Sequence, residues 1–137
     1  MKGLPMKSKS FTLTEANDLL PELENLLARV EKKRAKCERM HDVFFVRELI
    51  VEALPAEKEK HGLDDEAQRL DDLVQKIEED VALLRKTGCR IRNLERGCID
   101  FPGQYAARQV FFCWVRGEKQ IRHYHLAEDP AARHALE

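Results

Sequence analysis

From Glu22 to about Ala53 the chain has no glycine or proline, and apolar residues recur at Leu23, Leu26, Leu27, Val30, Cys37, Met40 and Phe44. That spacing is one face of a helix, and at ~1.5 Å per residue it predicts a rod of roughly 48 Å. Pro55 and Gly62 bracket a charged connector. A second helix is expected over 64–87, where Leu63, Ala67, Leu70, Val74, Ile77, Val81 and Leu84 alternate steps of four and three, a heptad seam that Gly88 ends with a left-handed cap. Two such helices on a short connector fold back antiparallel. Met40 then lies opposite Ile77 and Cys37 opposite Val81, and Leu23, Leu26 and Leu27 overhang the partner helix.

Upstream, Phe11 to Leu13 reads as an extended entry, Thr14 as the N-cap and Glu15 as first-turn charge. Pro21 should kink the helix, making 14–53 a short helix followed by a long one. After Gly88 the period changes. Cys89–Leu94, Cys98–Phe101, Gln109–Val115 and Gln120–Leu126 are short β-branched and aromatic stretches, separated by Gly97, by Pro102 with Gly103, and by Gly117. They predict a small antiparallel sheet over 89–126, followed by a tail over 127–137. Val110 to Val115 is apolar on both faces, so that strand should be central, covered by the overhang of helix one. The expectation is one α+β domain over 1–137: a long, coiled-coil-like antiparallel helical hairpin with a small C-terminal antiparallel sheet.

Composition narrows the function. With 24 basic and 25 acidic side chains the net charge is −1, which excludes binding nucleic acid or anionic membrane by bulk charge alone. No apolar run approaches the ~18 residues of a membrane span, and Met1 to Ser10 lacks the apolar segment of a signal peptide; a cytoplasmic protein is expected. Cys37, Cys89, Cys98 and Cys113 form no CxxC pair and read as reduced thiols. The two serines, Ser8 and Ser10, both lie near the N-terminus, which argues against a serine nucleophile in a rigid site.

Three blocks of residues resemble a known family. They are Phe11-Thr12-Leu13-Thr14-Glu15-Ala16-Asn17 with Leu19-Leu20-Pro21-Glu22-Leu23; Leu94-Glu95-Arg96-Gly97 with Asp100-Phe101-Pro102; and Cys113-Trp114 with Gly117-Glu118, Ile121 and His125. In this order they are similar to the uncharacterised family catalogued as domain of unknown function 2203. The resemblance implies a bacterial or archaeal cytosolic protein and carries no established activity.

The sharpest chemical constellation is Asp100, Glu118, His123 and His125, with Cys113 nearby. Strand alternation puts His123 and His125 on one face, where imidazole and carboxylate could hold a divalent ion such as zinc, manganese or iron. Strand histidines are more often satisfied structural residues than ligands. Register decides the set: a three-residue loop Val115-Arg116-Gly117 puts Cys113 with the histidines, whereas a two- or four-residue loop puts Trp114 there. The basic run Lys32, Lys33, Arg34, Lys36 and Arg39 could track phosphates, but pairing with Glu78, Glu79 and Asp80 of helix two explains it as well.

Val43-Phe44-Phe45-Val46 followed by Leu49-Ile50-Val51 covers more of the helix than one partner can bury. Phe44, Phe45, Val46 and Ile50 are therefore the candidate dimer interface. Two function classes follow. The leading one is a non-enzymatic homodimeric assembly or adaptor protein; the other is a small metal- or ligand-binding protein, such as a metal-dependent hydrolase, with its site on the sheet.

Overall fold

The computed structural model describes residues 10–53 and 57–136. Helices α1 (Leu13–Ala53) and α2 (Glu57–Lys86) precede strands β1 (Arg90–Asn93), β2 (Cys98–Tyr105), β3 (Arg108–Val115), β4 (His123–Leu126) and β5 (Asp129–Ala135), an α+β order. The chain forms two compact units: Ala28–Val81, and the remainder, which holds the start of α1, the end of α2 and the sheet. The Pro55 end of the expected connector and the N-terminus through residue 9 lie outside the described residues. No helix among the described residues is long and apolar enough to cross a membrane.

Helix α1 begins one step earlier than expected. Its cap is Thr12, not Thr14: the Glu15 N–H donates to Thr12 Oγ1 (3.1 Å) and the Thr12 N–H to Glu15 Oε1 (2.9 Å), a reciprocal capping box. The helix also continues through Pro21 instead of dividing there. Pro21 is exposed, so water can satisfy the carbonyl its ring leaves unbonded, and a single missing bond does not end a 41-residue helix.

In the Ala28–Val81 unit, α2 starts at Glu57, so Gly62 is helical and not part of a connector. Of the expected seam, Leu63, Ala67, Leu70, Ile77 and Val81 are half-buried, with Glu66, Leu73 and Asp80 drawn in beside them. Val74 is 39% exposed, while Leu73 and Asp80 are buried. Charge pairing accompanies the burial of Asp80 and Glu66. Arg29 Nη2 and Lys33 Nζ of α1 lie 2.8 and 2.5 Å from the two carboxylate oxygens of Asp80, and Arg47 pairs with Glu66. Of the basic run, Lys33 thus meets Asp80 as expected, whereas Arg34 pairs within its own helix with Glu38.

In the other unit the five strands form an antiparallel meander in the order β1-β2-β3-β4-β5. Strand β3 is central, as its apolar content on both faces requires. The inner face carries Ile99, Phe101, Val110, Phe112 and Trp114, which share one core with Phe11, Leu20, Leu23, Leu26, Leu27 and Leu84. The overhanging start of α1 is covered by the sheet. Phe11 meets Phe101 edge-on at 5.3 Å between centroids, a geometry worth ~0.5–1.5 kcal/mol beyond area burial.

Two boundaries in the sheet differ from expectation. Pro102 and Gly103, expected as a break, lie inside β2. The Pro102 carbonyl accepts the Phe11 N–H at 2.7 Å; a residue's N–H and C=O share one side of a strand, so the missing N–H faces away from β3 and no ladder bond is lost. The expected tail is strand β5, paired with β4. An edge strand does not need apolar alternation, and Pro130 is tolerated there. The β2–β3 reversal is Ala106-Ala107, with φ of 53° and 63°.

Candidate functional site

The outer face of the sheet is built by alternation. Asp100 pairs with Cys113, Cys113 with His123, and Phe111 with His125, so these five side chains share one face. The β3–β4 connection runs over seven residues, Arg116 to Arg122, which is longer than expected but odd-numbered, so Cys113 and not Trp114 joins the histidines. Glu24 of α1 secures this connection, accepting the Gly117 N–H at 3.0 Å and facing Arg116 Nε at 3.3 Å.

Three of the five expected ligands converge. One donor atom each from Asp100, Cys113 and His125 lies within 4.8 Å of the others, and all three residues are buried. Cys113 Sγ is 2.9 Å from His125 Nδ1, and His125 Nε2 is 3.9 Å from Asp100 Oδ2. The remaining two residues stand apart. Glu118 Oε1 accepts the Val115 N–H at 2.9 Å and its carbonyl accepts the Trp114 indole N–H at 2.9 Å, so Glu118 closes its own turn. His123 lies opposite Cys113, yet its buried Nδ1 has no hydrogen-bond partner among the described residues.

The surroundings are aromatic and cationic. His125 stacks on Phe111 (5.2 Å, 24° between planes), and the Arg90 guanidinium lies 4.7 Å above the Phe111 ring. Arg92 Nε is 3.4 Å from Asp100 Oδ2. Burial, reinforced by the Asp100 charge and its hydrogen bond, pushes the Cys113 thiol up to about 12, against the pull of Arg92 and Arg133. Burial also lowers His125, with Arg92, Arg90 and Arg133 adding to the effect and Asp100 opposing it. The site thus holds a neutral thiol beside a neutral imidazole. A thiol held this high is the opposite of an activated nucleophile, and the carboxylate lies beside the thiol and not only beyond the imidazole, as a relay would require.

Sequence reasoning missed Arg90, Arg92 and Arg133. A signal existed for the first two: Arg90-Ile91-Arg92 alternates with period two, which places both arginines across a strand from the apolar face. Arg133 gives no such signal, because Asp129–Ala135 lacks a strand-like composition.

Of the expected interface residues, Phe45, Val46 and Ile50 are 50–54% exposed on α1, together with Val43 and Leu49, whereas Phe44 is half-buried.

A five-stranded antiparallel meander following two long helices, with a buried aspartate, cysteine and histidine on its outer face, defines an α+β protein with a candidate ligand-binding centre on the sheet. The chain belongs to the family described as Uncharacterized conserved protein (DUF2203), whose model matches residues 9–135. No curated protein and no solved structure matches the chain.

Proposed function

We propose that the protein binds a divalent metal ion, zinc foremost, through Asp100, Cys113 and His125. The observation that carries this reading is the convergence of three buried donor atoms within 4.8 Å of one another. Zinc bonds of about 2.0–2.3 Å place tetrahedral donors about 3.3–3.8 Å apart, so the 2.9 Å Cys113–His125 contact would open and any edges approaching 4.8 Å would close. A thiolate among the donors favours zinc over manganese, which prefers oxygen ligands. On binding, the thiol gives up its proton to the solvent as the ion replaces it. Three protein ligands leave a fourth position open, the arrangement that hydrolytic zinc centres use to hold water, and this is the form the hydrolase reading takes.

Metal analysis of protein purified without chelators, followed by cobalt titration, tests the proposal. Stoichiometric uptake with a thiolate-to-cobalt charge-transfer band is expected, lost in Cys113→Ala and His125→Ala and retained in Glu118→Ala. A wild-type protein that takes up no zinc or cobalt, or uptake indifferent to Cys113→Ala, would falsify it.

A second reading, favoured by the exposed apolar face of α1, is homodimeric assembly through a helical hairpin. Val43, Val46 and Ile50 lie one helical turn apart beside Phe45 and Leu49, and fully burying each large side chain contributes roughly 1.5–3 kcal/mol. Light scattering at micromolar concentration should give a dimer that Phe45→Glu shifts toward monomer. A monomeric wild type removes this reading.

A further inference from the structure

The geometry points to an oxyanion-binding pocket beside the donor triangle, built by Arg92, Arg96 and Arg133 and suited to a small molecule bearing a phosphate or carboxylate group. A cavity of about 360 Å³ opens on the outer face of the sheet, and its lining includes these three arginines together with Asp100, Cys113 and Cys98. The volume is at the low end for ligand pockets, which sets the size of the occupant.

Charge sets its sign. Asp100 is the one carboxylate among the lining residues, and Arg92 already faces it at 3.4 Å. Among the described residues neither Arg96 nor Arg133 is paired with a carboxylate, so two guanidinium charges at this concavity are uncompensated. The chain has 25 acidic side chains, and one would be enough to relieve this repulsion, yet none but Asp100 lines the cavity. Solvation alone accounts for isolated surface arginines, but these come from different elements. Arg92 is on β1 and Arg133 on β5, at opposite edges of the sheet, and Arg96 lies in the β1–β2 turn, where its backbone N–H donates to Asn93 Oδ1 at 3.0 Å. Guanidinium forks match phosphate and carboxylate oxygens in a bidentate way, and a concave site with walls of one sign concentrates the field on the bound anion.

The inference deepens the metal reading, on which it rests for its chemistry, because Asp100 and Cys113 belong to both cavity and triangle. It rests on the arginines alone for binding. The test is therefore run first on EDTA-treated protein, by calorimetric titration with inorganic phosphate and separately with malonate at constant ionic strength. Fluorescence of Trp114, the sole tryptophan, which borders the cavity beside Cys113 while its ring packs in the core behind the sheet, provides a parallel readout. Saturable binding of at least one anion is expected, and comparison of the two arms identifies the preferred head group. Combined Arg96→Ala and Arg133→Ala should weaken binding at least about tenfold, the loss expected for charge-assisted bonds. Lysine at both positions, which keeps the charge but not the fork, should fall in between. Zinc uptake that fails while anion binding persists removes the metal and leaves the pocket. The inference is overturned if neither anion saturates, or if the double alanine variant binds as tightly as wild type.

Discussion

Cys113 Sγ lies 2.9 Å from His125 Nδ1, although the residue paired with His125 across the β3–β4 ladder is Phe111. The contact is diagonal, and Phe111 stacks on the imidazole from the directly opposed position. One aromatic ring thus sets the orientation of the histidine while the thiol meets its edge. Asp100, directly opposite Cys113 on β2, completes the triangle from the other side.

The pH dependence of the EDTA-treated protein follows from these positions. His125 is held below its usual 6.5 by burial, so as pH falls through 6.5 the unfolded chain takes a proton that the folded site refuses. Stability should therefore be flat just above 6.5 and decline below it until the lowered folded value is passed. For Cys113 the sign is reversed: its thiol is raised from 9.0 to about 12, so the stabilisation it contributes is full below 9 and is lost as pH rises toward 12. Urea unfolding from pH 5 to pH 8 should show the acid slope in wild type and a shallower one in His125→Asn. At pH 8, iodoacetamide should label the half-exposed Cys98 before Cys113.

Gly103→Ala should destabilise the fold by about 1–3 kcal/mol or more, the range for forced overpacking. A Cβ at this position would press into the Phe11 carbonyl oxygen and come within 2.7 Å of Phe112 Cε2. The backbone bridge between Phe11 and Gly103 would then have to open. Thermal unfolding measures the loss; an unchanged midpoint would show that this approach of Phe11 to β2 is not required.

Replacing Ala106-Ala107 with Asn-Gly should stabilise the protein by about 1 kcal/mol. Both alanines have left-handed φ values in a two-residue hairpin. That conformation costs an L-residue roughly 1–2 kcal/mol, and Asn-Gly adopts it readily. Chemical denaturation should give a higher midpoint with an unchanged slope.

Asp80 is 2% exposed and is met by two cations. Removing both Arg29 and Lys33 leaves a buried carboxylate without a counter-charge, a change that costs about 3–5 kcal/mol. Arg29→Ala alone, with Lys33 still in place, should cost clearly less. Equal losses from the single and double variants would mean that Lys33 contributes nothing.

The helices, the strand-rich third and the central place of Val110–Val115 were determined by local pattern, because burial on one or two faces imposes a period that neighbouring residues display. Alternation likewise placed His123 and His125 on one face. Which charges of α2 leave water was decided by tertiary contacts: the sequence offers Glu78, Glu79 and Asp80 alike to the basic run, and packing gives Asp80 to Arg29 and Lys33, and Glu66 to Arg47. The same holds for the site. Cys113 could join the histidines or point away according to a loop whose length the residues alone did not reveal. Glu118 was spent on its own turn, and Arg133 arrived on a strand with no strand-like composition. Periodicity records which residues must leave water. Which polar groups then meet depends on register and on partners distant in sequence, and only the packed sheet settles those.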